Sequence, residues 1–79
     1  MSLFDVGRVC VKIAGRDAGK TCVVLTKPEK NYVLVDGGTR RKKCNINHLE
    51  PLEVTLSIDV NAPSENVQKA LRDAGLKAA

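Results

Sequence analysis

Residues 8–26 read Arg8-Val9-Cys10-Val11-Lys12-Ile13-Ala14-Gly15-Arg16-Asp17-Ala18-Gly19-Lys20-Thr21-Cys22-Val23-Val24-Leu25-Thr26. Val9, Val11 and Ile13 alternate with Arg8, Cys10 and Lys12, and this period of two predicts a half-buried strand over residues 8–13 whose apolar face carries Val9, Val11 and Ile13. Ala14 and the glycines at 15 and 19 interrupt the pattern around Arg16 and Asp17. A turn is expected there, with at least one position at positive φ. Residues 20–26 are rich in β-branched side chains and apolar on both faces at the centre, so a second strand follows.

Working outward, Lys27-Pro28-Glu29-Lys30-Asn31 is a turn and Tyr32-Val33-Leu34-Val35-Asp36 a third strand, closed by Gly37 and Gly38. Arg40-Arg41-Lys42-Lys43-Cys44 has poor strand propensity but suits a short exposed strand. Residues 45–51 read as a turn, with room for one turn of 3₁₀ helix. Leu52-Glu53-Val54-Thr55-Leu56 alternates again as a closing strand. Short strands joined by tight turns imply a small closed sheet, since closure removes unpaired edges. From Pro63 the period changes. Val67, Ala70, Leu71 and Ala74 recur at three and four, which predicts a helix over residues 63–74 with Glu65 near its positive end and Gly75 as C-cap. That stripe is narrow and needs a surface to dock on.

At 79 residues the chain has material for one small core. Its formal charge of +4 is unevenly spread: residues 1–50 carry ten basic and five acidic side chains, residues 51–79 three and four. A basic patch beside a near-neutral remainder is the footprint of a nucleic-acid binder. Phe4 and Tyr32 are the only aromatic side chains, which argues against a platform stacking several bases. Cys10, Cys22 and Cys44 make an odd count with no secretory leader, so a reducing cytosol fits better than a disulfide scaffold. No apolar run approaches the roughly 20 residues that span a bilayer.

Arg40-Arg41-Lys42-Lys43 is the densest charge run, and phosphates would relieve its self-repulsion. Arg holds a phosphate through two hydrogen bonds, whereas Lys acts as a point charge. Lys12, Arg16 and Lys20 surround the first turn, where Asp17 is positioned to orient Arg16. Asn45 and Asn47 suit turn capping. The segment from Gly15 to Thr21 is not a phosphate-binding P-loop, because three residues separate its glycines instead of four and a strand follows. Cys10, Cys22, Cys44 and His48 lack the spacing of paired zinc knuckles, and the cysteines read as small core residues. No nucleophile is paired with His48 at a defined spacing, so no catalytic mechanism is supported.

With these residues in view, Val6 to Leu25 resembles the KOW motif of the archaeal and eukaryotic large-subunit ribosomal protein family numbered fourteen-e. Tyr32 to Gly38 and Arg40-Arg41-Lys42-Lys43-Cys44-Asn45-Ile46-Asn47-His48-Leu49-Glu50-Pro51 resemble its next two blocks. The combination of the Gly7-Arg8-Val9-Cys10-Val11-Lys12 start with the Asn47-His48-Leu49-Glu50-Pro51 end is the specific part. The resemblance implies a mainly β fold, a small SH3-like barrel of about five short antiparallel strands followed by a C-terminal α-helix. It implies residues 1–56 as barrel, 57–62 as linker and 63–79 as helix and short tail. It implies a non-enzymatic constituent of the large ribosomal subunit in the cytoplasm, without cofactor, metal, membrane or small-molecule substrate. Its partners would be large-subunit ribosomal RNA and neighbouring ribosomal proteins. Arg8, Lys12, Arg16 and Lys20 would contact RNA from the KOW strands and loop, and Arg40, Arg41, Lys42, Lys43, Asn45 and His48 from the basic block. The short loop before Arg40 and the end soon after the helix suggest a compact, archaeal version. The alternatives are a KOW-type transcription-factor domain and a protein-binding SH3-like module, the second of which would need an aromatic-lined groove.

Overall fold

A computed structural model describes residues 4–38 and 40–76; Thr39, the first three residues and most of the short tail expected after the helix lie outside the described residues. These form β1 (Arg8–Lys12), β2 (Thr21–Val24), β3 (Tyr32–Gly37), β4 (Lys42–Asn45), a 3₁₀ turn (Ile46–His48), β5 (Leu49–Thr55) and α1 (Ser64–Asp73). The strands pair antiparallel in the order β4-β3-β2-β1-β5. The fold is a mainly β, five-stranded antiparallel sheet followed by a C-terminal helix.

The sheet has an apolar cluster on each face. Cys10, Cys22, Val24, Val33, Val35, Cys44 and Leu49, drawn from all five strands, fill one face, with Phe4 and Ile46 packed at its margin. Small and β-branched side chains suit this face because the sheet curls around it and leaves little volume. Burial pushes the thiols of Cys10 and Cys22, which are cross-strand partners, up to about 12. They stay protonated and behave as small apolar groups. The other face carries Val9, Val23 and Leu25, and α1 lays Val67 and Leu71 onto them, with Leu52, Leu56 and Ile58 around the contact. A ten-residue helix is marginal alone in water. Burial of Val67 and Leu71, worth about 1.5–3 kcal/mol each, is what holds it.

The helix stripe expected from periodicity is realised at Val67 and Leu71, whereas Ala70 is half-buried and Ala74 exposed. The helix ends in a Schellman arrangement, with the Leu76 amide donating to Leu71 O and the Gly75 amide to Arg72 O, each at 2.9 Å. Leu76 then packs back onto the helix-side cluster. The turn between β1 and β2 has both Gly15 and Gly19 at positive φ, as expected.

Three boundaries differ from the sequence reading. β1 is not split into an apolar and a polar face. Cys10 fills the inner cluster and Val9 the helix-side one, while Ile13 lies beyond the strand at 55% exposure and Lys12 is 7% exposed. Both faces of β1 are covered at its centre, so the period of two carries no face label there. β4 begins at Lys42, because Arg41 is drawn out of the ladder by the contacts described below. β5 begins at Leu49 and runs through Pro51, which lies opposite Cys10. β5 ends the strand order, and an edge strand tolerates proline's missing donor.

The helix packs tightly against the sheet at Gly37. Its φ is +118°, and a Cβ there would lie 2.5 Å from Leu71 Cδ1. Gly37→Ala therefore combines backbone strain with a clash in the helix contact. A loss of about 2–3 kcal/mol is expected in urea unfolding of the full chain, against about 1 kcal/mol for Gly15→Ala, whose surroundings are open and whose cost is the positive φ alone.

Candidate nucleic-acid interface

β3 ends in a buried acid. Asp36 is 1% exposed, and its carboxylate accepts from the Gly37 amide at 2.7 Å, Arg41 Nε at 2.8 Å and Ser64 Oγ at 2.6 Å. Arg41 also donates to the carbonyls of Val60 and Ala62. One guanidinium thus joins the end of β3, the approach to β4 and the segment entering α1, while Ser64 ties the first turn of the helix to the same carboxylate. The segment expected to be a linker is held against the sheet by these bonds and by Ile58. Sequence reading did not single out Asp36. The available signal was an acid closing an apolar strand, five residues before an arginine.

Asp17, on the β1–β2 turn, does not orient Arg16. It lies 3.2 Å from Lys42 Nζ, 3.4 Å from Lys20 Nζ and 3.9 Å from Lys12 Nζ. Hydrogen bonds from Lys42 and then Lys20 hold its carboxyl below the ordinary carboxylate value. Lys42 comes from β4 at one end of the strand order and Lys12 from β1, beyond β3 and β2, so this carboxylate draws β1, β4 and the turn together. A single negative charge faces three positive ones, and the cluster keeps a net positive field.

Of the ten side chains expected to contact RNA, Arg16, Lys20, Arg40, Lys42, Lys43 and His48 are exposed, Arg8, Arg41 and Asn45 are half-buried, and Lys12 is buried. Arg8 donates to Leu52 O at 3.0 Å across the irregular β1–β5 register. Asn45 caps the 3₁₀ turn by accepting from the Asn47 amide at 2.8 Å, as its position before the turn suggested. An open depression of about 670 Å³ lies between the Asp17 turn and the start of α1, rimmed by Lys20, Arg40 and Gln68.

Cys10, Cys22 and Cys44 are free and buried, and His48 stands exposed on the 3₁₀ turn. Among the described residues no group of three or more His, Cys, Asp or Glu side chains is arranged to hold a metal. No helix of the described residues is long and apolar enough to cross a membrane.

These features define a small β domain with a helix on one face and a cation-rich surface spanning the β1–β2 turn and β4. No protein-family model matches the chain. It is 45% identical over 76 residues to the large ribosomal subunit protein eL14 of Methanococcus maripaludis strain C7, covering 96% of this chain and 99% of that one. It is 40% identical over 81 residues to eL14 of Staphylothermus marinus and 41% identical to that of Metallosphaera sedula, covering 96% of this chain and 84% of each relative. The chain belongs to the eL14 family of large ribosomal subunit proteins.

Two predictions separate structural from surface charge. Arg41→Ala leaves the Asp36 carboxylate buried with a lost partner and is expected to lower unfolding stability by about 2–3 kcal/mol. Lys43→Ala should stay within about 0.5 kcal/mol of the parent in the same denaturation experiment. Because the folded-state pKa of Asp17 is lowered, its ion pairs contribute stability that is full above the ordinary value of 3.8 and lost as pH falls through the lowered one. Asp17→Asn should melt below the parent at about pH 6, and the two curves should converge towards about pH 3.

Proposed function

We propose that this chain is a structural constituent of the large ribosomal subunit in the cytoplasm and binds folded ribosomal RNA through its cationic surface, beside neighbouring ribosomal proteins. The carrying observation is its similarity to eL14 proteins along 96% of its length. The distribution of charge supports the same reading. Arg16, Lys20, Arg40, Lys42 and Lys43 are exposed and rise from strands and tight turns, so the backbone loses little conformational entropy when they meet phosphates. Folded RNA helices are recognised mainly by shape, phosphates and 2′-hydroxyls. Fixed cations offset the repulsion between phosphates that assembly brings together. Lys12, Arg41, Arg8 and Asn45 serve this role indirectly, by setting the shape of the surface. The near-neutral residues after 50 suit protein neighbours. The role is architectural, without a chemical step.

Sedimentation of native cell extract through sucrose gradients at moderate and high salt tests the assignment. Stoichiometric co-migration with the large subunit, surviving the salt wash, is the expected result; absence from that peak refutes it. With isolated large-subunit RNA, neutralising about four phosphates should give a log–log salt slope of roughly −3 to −4, and Lys43→Ala should make it shallower by about 1.

A further inference from the structure

Tyr32 is 47% exposed. It sits at the start of β3, where Tyr32 and Leu34 share the face that α1 covers further along the sheet. The helix stops short of Tyr32 and leaves an open cleft of about 620 Å³ beside it. Lys27, Lys30 and Lys43 line that cleft with Tyr32, Thr26 and Leu34, and Glu29 is its only acid among the described residues. Lys43 lies directly across the ladder from Leu34, one diagonal step from Tyr32. Among the described residues Lys27, Lys30 and Lys43 form no ion pair, unlike Lys12, Lys20, Lys42 and Arg41.

The backbone that carries the ring is also held in place. The β2–β3 connection turns on Lys30 and Asn31, both left-handed at φ of 50° and 71°. The Glu29 amide donates to Tyr32 O at 2.8 Å and the Tyr32 amide to Glu29 O at 2.9 Å. An exposed aromatic face on a rigid hairpin, ringed by three cations without partners, matches one ligand chemistry well: a flat π-surface joined to negative charge on both sides. That is one unstacked nucleotide in a folded RNA. A single ring is consistent with the low aromatic content, which excludes a run of stacked bases but not one base.

We infer that the cleft beside Tyr32 takes one unpaired base of a structured RNA, stacked on the Tyr32 ring, with Lys27, Lys30 and Lys43 on the flanking phosphates. The inference rests on the RNA-binding reading above and names the feature of the RNA that this part of the surface selects. Stacking of one base on an aromatic side chain strengthens binding by roughly tenfold, about 1.4 kcal/mol.

Tyr32 is the only tyrosine and the chain has no tryptophan, so intrinsic emission reports this ring alone. The full chain is titrated with a labelled RNA hairpin carrying one bulged adenosine and with the same hairpin fully paired. Anisotropy follows binding and tyrosine emission follows stacking. The bulged hairpin is expected to bind roughly tenfold tighter and to quench the emission. Tyr32→Leu should erase the preference while keeping the affinity for the paired hairpin, and Tyr32→Phe should retain the preference. Equal binding of both hairpins with unchanged emission overturns the stacking site and leaves the RNA-binding reading standing. Binding of neither hairpin at low salt overturns both.

Discussion

A carboxylate removed from water is tolerable only when donors replace the water it has lost, and the assembly of this domain follows from how Asp36 meets that demand. Its three donors come from the adjacent backbone, from Arg41 ahead of β4 and from Ser64 in the first turn of α1. The β3–β4 ladder and the packing of Leu71 on the sheet bring these elements close, and the carboxylate fixes where they join. Once Arg41 is committed, its remaining donors fall on Val60 and Ala62, which directs the chain leaving β5 towards the helix start. Gly37, next in sequence, then lets Leu71 lie against β3 where a side chain would block it. A buried pair of this kind is a weak source of net stability, yet losing one partner leaves the other charge buried and uncompensated.

The two apolar clusters divide the remaining work. The inner one, built from cysteine, valine and a single leucine, lets five short strands curl around a small volume. The outer one is completed only by the helix and by the segment leading into it. Neither would suffice for a chain this short, which buries a modest share of its surface. Their combination explains why β1 and β2 have apolar side chains on both faces, a pattern that in isolation reads equally well as a strand buried anywhere.

Positive charge is used in two ways that sequence cannot separate. Lys12 and Arg41 have their charges met by Asp17 and Asp36 and shape the sheet. Lys27, Lys30 and Lys43 stand outward, and Lys20 and Lys42 do both, since their ion pairs with Asp17 remain half open to solvent. A surface whose cations are carried on strands and tight turns, with Lys20 and Lys42 braced by Asp17, holds its positive charge in fixed places. That is what a component of a permanent ribonucleoprotein needs, because every side chain fixed in advance lowers the entropy lost on assembly.

Much of this was legible from residue order alone. Alternating apolar residues marked β1, apolar runs bounded by turn residues marked β2 and β3, glycines at 15 and 19 marked the first turn, and spacing of three and four with Gly75 marked the helix and its end. Such features depend on neighbours a few residues away, so the local chain determines them. The basic character of the first fifty residues, and the resemblance carried by the KOW segment and the block from Arg40 to Pro51, were legible for the same reason. Tertiary structure decided the rest. It assigned β1 two covered faces, moved the start of β4 past Arg41, extended β5 back to Leu49, buried Lys12 and exposed Tyr32. Each of these outcomes depends on partners roughly five to forty residues distant along the chain, and a charge or an aromatic ring has no intrinsic preference for inside or outside until those partners are in place.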